Sequence, residues 1–321
     1  MQSETLKNSA APKKITIMTP AFNEEAGIED CYLAVKEFFS AELPEYEYEH
    51  LFIDNCSQDN TVNILKKIAQ QDKRVKIIVN SRNFGPNNSP YHAILESSGD
   101  AVIPVLADLQ TPVLTIKNFI ELWESGYDMV LGIRVKMSEP AWLQISRNFY
   151  YKLMGRLSPI EHYHGFIGFG LFDAKTVKVM RGLINPNPYF RRIVSEIGFE
   201  KAFVEYEQPL RKHGKSRLSL YDLVDYAILG VVSCSTAPLR AMTIIGFGVS
   251  TICFFAGLIY LFLKLMYWDS FGLGSAPLII GMFFIAAIQI FCLGLMGEYV
   301  GLIFDHARNR PLVIEKERIN F

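Results

Sequence analysis

"YEHLFIDNCSQDNTVNILKKIAQQ", Tyr48 to Gln71, decides the fold. It opens on a short apolar run suited to one strand, turns polar over "DNCSQDN", and continues from Thr61 with apolar residues at helical spacing. A strand, a polar loop and a helix in that order form one βα unit, and the same unit repeats on either side.

Upstream, "ITIMTPAF" (Ile15–Phe22) is a strand candidate followed by an amphipathic helix from about Glu24 to Ala41. Downstream, "VKIIVN" (Val75–Asn80) is a strand, "SPYHAILESS" (Ser89–Ser98) a helix and "AVIPVLAD" (Ala101–Asp108) a further strand. "YDMVLGIR" (Tyr127–Arg134) continues the sheet, and "RNFYYKLMGRL" from Arg147 reads as a basic helix. Strands separated by helices of about 10–15 residues imply a mostly parallel sheet with helices on both faces. Such sheets bind ligands beyond the carboxyl ends of their strands. The polar clusters fall there: "TPAFNEE", "DNCSQDN", "SRNFGPNN" and "ADLQTP" follow the first four strands in turn. Taken singly, these segments read as turns and helix caps; together they read as one ligand-binding rim.

The chain has 321 residues with a net charge of −1, and its two signs nearly balance, which argues against a nucleic-acid partner. Half of the residues are hydrophobic, and the excess lies near the C-terminus. Ala241–Leu263 and Ala276–Gly297 carry no charge. Each is long enough to cross a hydrocarbon core of about 30 Å. Arg240 precedes the first run and Arg308, Arg310, Lys316 and Arg318 follow the second, which places both ends in the cytoplasm, although Lys264 in the short connection works against that asymmetry. Ser219–Pro238 is mostly apolar with two early Asp residues and reads as an amphipathic helix at the membrane surface. The first fourteen residues have no apolar core, so no signal or transit peptide is expected there. Five scattered cysteines, Cys31, Cys56, Cys234, Cys253 and Cys292, form no disulfide framework and no metal spacing.

"PAFNEE", "IDNCSQDNT", "SRNFG" and "ADLQTP", with "RKHGKSR" (Arg211–Arg217), "APLR" and "GEYVGLIFDHARNRP" beyond them, resemble the motifs of the inverting GT-A glycosyltransferases. That family includes dolichol-phosphate mannose synthase and the bacterial polyprenyl-phosphate glycosyltransferases. The resemblance covers nearly the whole chain. It implies a GT-A (Rossmann-like) domain over 14–218, a juxtamembrane helix over 219–238, a transmembrane hairpin over 239–304 and a cytoplasmic tail over 305–321, after a flexible 1–13. It also implies a multi-pass protein of the cytoplasmic membrane with both termini in the cytosol. The implied partners are a nucleotide-sugar donor of the UDP-linked kind, a polyprenyl phosphate acceptor and a divalent cation, Mg²⁺ or Mn²⁺. Two spans per chain leave apolar surface for a homo-oligomer.

Carried over residue by residue, the resemblance assigns Pro20, Asn23, Glu24, Asp54 and Arg82 to the nucleotide, and Asp108 with Gln110 to the metal and diphosphate. Arg134, Arg147 and Arg211 stand at phosphate-contacting positions, and Ser216 and Arg217 at the lipid phosphate or the closing donor site. Four positions depart from the pattern. The first Asp of Asp-x-Asp is Leu106, a second loop acid is Thr111, and Gly168 and Gly170 replace an acid and an arginine. A phosphate monoester acceptor, with a second pKa of about 6, is already largely ionised and needs no base, so a single carboxylate can serve. A catalytically silent scaffold that binds nucleotide sugar or lipid phosphate is the alternative these departures leave open. A processive polysaccharide synthase is disfavoured, because the chain lacks a Q-x-x-R-W segment and has only two spans.

Overall fold

The computed structural model describes residues 12–135, 163, 165–183, 188–209, 237–266, 275–308 and 310–321. Eight strands form one sheet: β1 (Lys14–Ala21), β2 (Glu47–Asp54), β3 (Val75–Asn80), β4 (Ala101–Pro104), β5 (Met129–Arg134), β6 (Phe166–Asp173), β7 (Lys201–Tyr206) and β8 (Glu315–Ile319). Their order is β7-β5-β6-β4-β1-β2-β3-β8. The helices α1 (Ile28–Glu42), α2 (Thr61–Gln71), α3 (Gly85–Glu96) and α4 (Thr115–Glu124) connect the early strands, and α5 (Ala174–Gly182) and α6 (Phe190–Glu196) follow β6.

The central strands β4, β1, β2 and β3 run parallel, β7 runs parallel to β5, and β6 runs antiparallel to both its neighbours. Mostly parallel sheets are covered on both faces, and the cores follow that rule. Ile15, Ile17 and Ile103 pack with Val35 and Phe39 of α1 and Phe119 and Trp123 of α4. With the two-residue period of a strand, Met18, Leu51, Ile53 and Val102 point the other way, onto Tyr91 and Ile94 of α3, Met180 of α5 and Ile193 of α6. Phe52, Ile77 and Val79 pack under α1 and α2. The βα reading of the N-terminal half therefore holds, with two changes. β4 stops at Pro104, whose missing N–H suits the last paired position. The helix expected from Ser89 begins at Gly85 instead.

The tail supplies β8, antiparallel to β3 and closing that edge of the sheet. A pattern of charge in "EKERI" gives no apolar alternation, so the strand is invisible to periodicity.

A second compact unit contains two long helices, α7 (Ala237–Met266) and α8 (Ser275–Ala307). Within α8, Phe284–Gly301 is long and apolar enough to cross a membrane, by length and composition, and the apolar part of α7, Pro238–Cys253, is shorter. The sequence expectation of two spans is thus met by one such helix among the described residues. The basic helix expected from Arg147 and the juxtamembrane helix of 219–238, up to residue 236, lie outside the described residues.

Candidate active site

The polar loops after β1, β2, β3 and β4 meet at the carboxyl ends of those strands and line a cleft of about 420 Å³. Pro20, Phe22 and Glu24 come from the first loop, Asn55 from the second, Asn83 from the third, and Leu106 and Thr111 from the fourth. The N-terminal half of α3 forms one wall through Pro86, Asn87 and Tyr91, while Gly168 and Phe190 complete the lining.

The first two loops are stitched together by side chains. Ser57 Oγ accepts from the Asn23 amide at 2.8 Å, Asn23 Oδ1 accepts from the Gln58 amide at 2.8 Å, and Thr61 Oγ1 accepts from the Glu24 amide at 2.9 Å. Asn23 achieves this at φ 55, a left-handed conformation that Asn tolerates better than most residues. Its amide oxygen therefore shapes the rim instead of reaching into it. Asp54 is fully buried at the end of β2, where its Oδ2 accepts from the Ser57 amide at 2.9 Å. Its Oδ1 is buried without a partner among the described residues. Burial, only partly offset by the Ser57 bonds, raises the pKa of this carboxyl above the ordinary aspartate value.

A second network fixes the third loop. Asn80 Nδ2 donates to Asn55 Oδ1 at 3.1 Å and to Ser89 Oγ at 3.0 Å, Asn55 Nδ2 donates to Asn83 Oδ1 at 2.9 Å, and the Phe84 amide donates to Asn55 Oδ1 at 2.9 Å. Asn55 thus couples the β2 end to the β3 loop and the start of α3. Sequence reasoning passed over Asn55, Asn80 and Asn83 because their bonds span 25 to 28 residues.

The fourth loop is a closed turn. The Leu106 amide donates to Thr111 Oγ1 at 2.9 Å, the Leu109 amide to the Leu106 carbonyl at 3.0 Å, and the Gln110 amide to Asp108 Oδ1 at 3.1 Å. Leu109 sits at φ 54, as the turn requires. The hydroxyl of Thr111, at the position of an expected acid, ties the loop together, and Leu106 faces the cleft. Below it lies Cys31, whose Sγ is 3.9 Å from the Leu106 carbonyl and whose thiol burial pushes up to about 12, so it is an inert packing group.

The glycines of β6 have steric causes. A Cβ at Gly170 would lie 2.5 Å from the Val130 carbonyl oxygen of the neighbouring strand, so no side chain fits. Gly168 lines the cleft at φ +106, a conformation side chains rarely adopt.

Of the expected site residues, Pro20 and Glu24 line the cleft, Asn23 and Asp54 lie at its rim, and Asp108 and Gln110 sit in the fourth loop between the lining residues Leu106 and Thr111 without being part of the lining. Arg82 is exposed outside the lining, its Nη1 on the Asn83 carbonyl at 3.0 Å and its guanidinium 4.0 Å over Phe84. Arg134 also lies off the cleft, donating from Nη1 to Gln208 Oε1 at 2.5 Å. Arg147, Arg211, Ser216 and Arg217 lie outside the described residues. No group of three or more His, Cys, Asp or Glu side chains that could hold a metal occurs among the described residues.

Residues 16–178, half of the chain, match the family described as Glycosyl transferase family 2. The chain belongs to glycosyl transferase family 2. As a family 2 member it is an enzyme of the glycosyltransferase class, and its mixed sheet with helices on both faces is the GT-A arrangement expected above. This glycosyltransferase is 33% identical over 305 residues to the SfII prophage-derived bactoprenol glucosyl transferase of Shigella flexneri, covering 95% of this chain and 98% of that protein. It is 33% identical over 300 residues to the uncharacterized glycosyltransferase YkcC of Bacillus subtilis, covering 93% and 92%. Among solved structures it is similar to a glucosyl-3-phosphoglycerate synthase from Mycobacterium tuberculosis, in complex with Mn²⁺, UDP-glucose and phosphoglyceric acid. That likeness has 15% identity and a TM-score of 0.49, and covers 68% of this chain and 78% of the other.

Proposed function

We propose that this glycosyltransferase moves a hexosyl group, from a UDP-linked donor, onto a polyprenyl phosphate at the cytoplasmic leaflet, with inversion at the anomeric carbon. The observation that carries the reading is a strand-end cleft in which Glu24 is the one acid among the described lining residues, with Leu106, Thr111 and Gly168 standing where acids were expected and Asp108 held in the fourth loop beside it. An alcohol acceptor would need a base to take its proton. A phosphate acceptor brings its own negative oxygen and needs no such base, so the reaction tolerates the loss of those acids. In the proposed displacement an acceptor phosphate oxygen forms a bond to the anomeric carbon. The bond from that carbon to the donor's diphosphate oxygen breaks, and the nucleoside diphosphate leaves with the electron pair; no proton need move. The likeness to bactoprenol glucosyl transferases across nearly both full lengths supports this acceptor class and a glucosyl donor.

The residues fit a divalent cation of the substrate-held kind. Mg²⁺ and Mn²⁺ take one or two protein carboxylates and complete their shell with phosphate oxygens and water. Asp108, held by the Gln110 amide in a closed turn, supplies one carboxylate, and Gln110 stands beside it. Such a cation would neutralise the diphosphate as it departs. Asp54, Asn23 and Glu24 are the residues we assign to the nucleoside end, and Arg134, Arg147 and Arg211 to phosphates. The buried Oδ1 of Asp54 is an acceptor of the kind a pyrimidine N–H or ribose hydroxyl satisfies.

In this reading α7 and α8, of 30 and 33 residues, form a membrane hairpin with both ends cytoplasmic, because β7 before it in the chain and β8 after it both belong to the catalytic unit. At about 1.5 Å per residue either helix exceeds the bilayer core.

The test is a panel of nucleotide sugars offered with undecaprenyl phosphate and Mg²⁺ or Mn²⁺ to the full chain in membranes, beside a chelator arm and Asp108→Ala. We expect lipid-linked sugar from a UDP-hexose, lost with chelator and reduced at least 100-fold in the variant. Donor binding with no transfer from any sugar would overturn the enzymatic reading in favour of the silent scaffold.

A further inference from the structure

The C-terminal strand, which follows directly on the second long helix, is bonded to the helix that walls the cleft. α8 ends at Ala307 and β8 begins at Glu315. In the β3–β8 ladder Val79 faces Glu317 but Asn80 faces Glu315, so Lys316 is skipped as a bulge. Regular alternation would put Glu315 and Glu317 on one face of the sheet. The bulge separates them. Glu317 pairs with Lys66 of α2 at 2.6 Å, whereas Glu315 turns to α3 and meets His92 Nε2 at 2.6 Å. Arg318 completes the cluster on the α3 side, donating from Nη2 to Glu315 Oε1 at 2.7 Å, from Nε to Glu315 Oε2, and to Glu96 at 2.8 Å. His92 and Glu96 are one helical turn apart, so two consecutive turns of α3 are clamped by one strand. The same segment reaches the third loop directly, since the Ser81 amide donates to the Ile314 carbonyl at 2.9 Å.

α3 depends on such clamps. Its sequence "GPNNSPYHAILE" has Gly at the start, two Asn, a Ser and an internal Pro90; its N-cap residue, Phe84, has no side-chain cap bond, and the Gly85 amide is held by Asn83 Oδ1 at 2.8 Å. Residues of that kind are poor helix formers, and helices gain position from tertiary contacts when propensity is low. One end of α3 is held by Arg181, which donates to the Leu95 and Ser97 carbonyls at 2.7 Å each. The middle is held by Glu315.

We infer that Glu315, through its contact with His92 and Arg318, is a positioning residue that sets α3 and with it the Asn87–Tyr91 wall of the nucleotide-sugar cleft. This rests on the donor reading of that cleft given above.

The experiment compares the full chain with Glu315→Ala, Glu315→Gln and Glu317→Ala. Backbone hydrogen exchange is read without ligand, and UDP-glucose binding and transfer to undecaprenyl phosphate are read alongside. We expect Glu315→Ala to speed exchange across 87–95 at least tenfold and raise the donor KM at least fivefold, with kcat within twofold. Glu315→Gln, which keeps the acceptor oxygen, recovers part of both effects. Glu317→Ala, which loosens β8 from α2 alone, leaves α3 exchange and donor KM within twofold of the unchanged chain. Unchanged α3 exchange in Glu315→Ala, or an equal rise in KM in Glu317→Ala, overturns the inference. Faster α3 exchange in Glu315→Ala, together with an unchanged chain that binds no UDP-glucose, upholds the clamp and sinks the donor reading instead.

Discussion

His50 gives this enzyme a predictable sensitivity to mild acid. The side chain is fully buried in β2, its Nε2 2.9 Å from Thr19 Oγ1 and its Nδ1 without a partner among the described residues. Burial disfavours the imidazolium and brings the pKa from 6.5 down to about 3. In the unfolded chain the same ring takes up a proton below pH 6.5. Between pH 6.5 and about 3 the unfolded state therefore binds more protons than the folded one, and stability falls as pH falls. At pH 5, one and a half units below the unfolded value, the linkage amounts to about 2 kcal/mol. For a domain of this size that lowers Tm by about 4–8 °C. Asp54 works in the opposite direction, since its raised pKa makes the folded state hold a proton more readily, so the clean quantity is a difference between two proteins. Glu49 does not interfere. Burial there is outweighed by hydrogen bonds from Lys14, Lys76, Thr16 and Ser98, which hold its carboxyl at about 2, so its contribution is lost only below pH 4.5. The assay is the Tm of the full chain and of His50→Gln in detergent from pH 7 to 5. The variant loses stability at pH 7 but has a flatter pH profile, and the gap between the two curves narrows by about 4–8 °C. Parallel curves over that range would refute the buried, neutral histidine.

The remaining predictions concern the cleft. Asn55→Ala leaves the Asn80 amide and the Phe84 N–H without their acceptor and costs about 2 kcal/mol, measured by denaturant unfolding, with a several-fold loss of UDP-glucose affinity by calorimetry. Gly170→Ala forces a methyl against the Val130 carbonyl and costs about 1–3 kcal/mol in the same unfolding assay, with transfer lost in proportion to folded protein. Asp108→Ala and Glu315→Ala separate by kinetics: the first removes kcat, and the second raises donor KM with kcat kept.

Much of this architecture was legible because it repeats. Ile15–Ala21, His50–Asp54 and Val75–Asn80 are apolar runs bounded by polar loops, and burial on both faces makes such runs uniform enough to read without partners. The rim followed from the same logic, since four polar clusters at successive strand ends have one place to meet. What sequence could not supply depends on distant pairing. "GPNN" reads as loop, yet Asn83 and Ser89 accept from Asn55 and Asn80 and draw Gly85 into the first turn of α3. β8 is a charged pentapeptide whose partners, Lys66, His92 and Glu96, are more than 200 residues away, so only the fold makes it a strand. Asn23 and Asp54 stand out in the sequence because their motifs fall at successive strand ends and resemble those of a known family. In the structure each first closes a loop bond, and Asp54 keeps one buried oxygen without a partner among the described residues.

The neutral residues of the fourth loop have an electrostatic logic under the proposed reaction. Acceptor phosphate and donor diphosphate are both anions, and the reaction requires them to approach within bonding distance of one carbon. An added carboxylate about 6 Å from either would repel it by roughly 3 kcal/mol at an effective dielectric of about 20. With an alcohol acceptor that cost is offset, because the carboxylate takes the proton; with a phosphate acceptor nothing offsets it. Leu106 and Thr111 remove two such charges, and the Thr111 hydroxyl still accepts from the Leu106 amide and so keeps the loop closed. Asp108 remains because one carboxylate is enough to fix a cation that the diphosphate itself attracts. The loop then holds the charge that the leaving group needs and lacks the charges that would keep the two substrates apart.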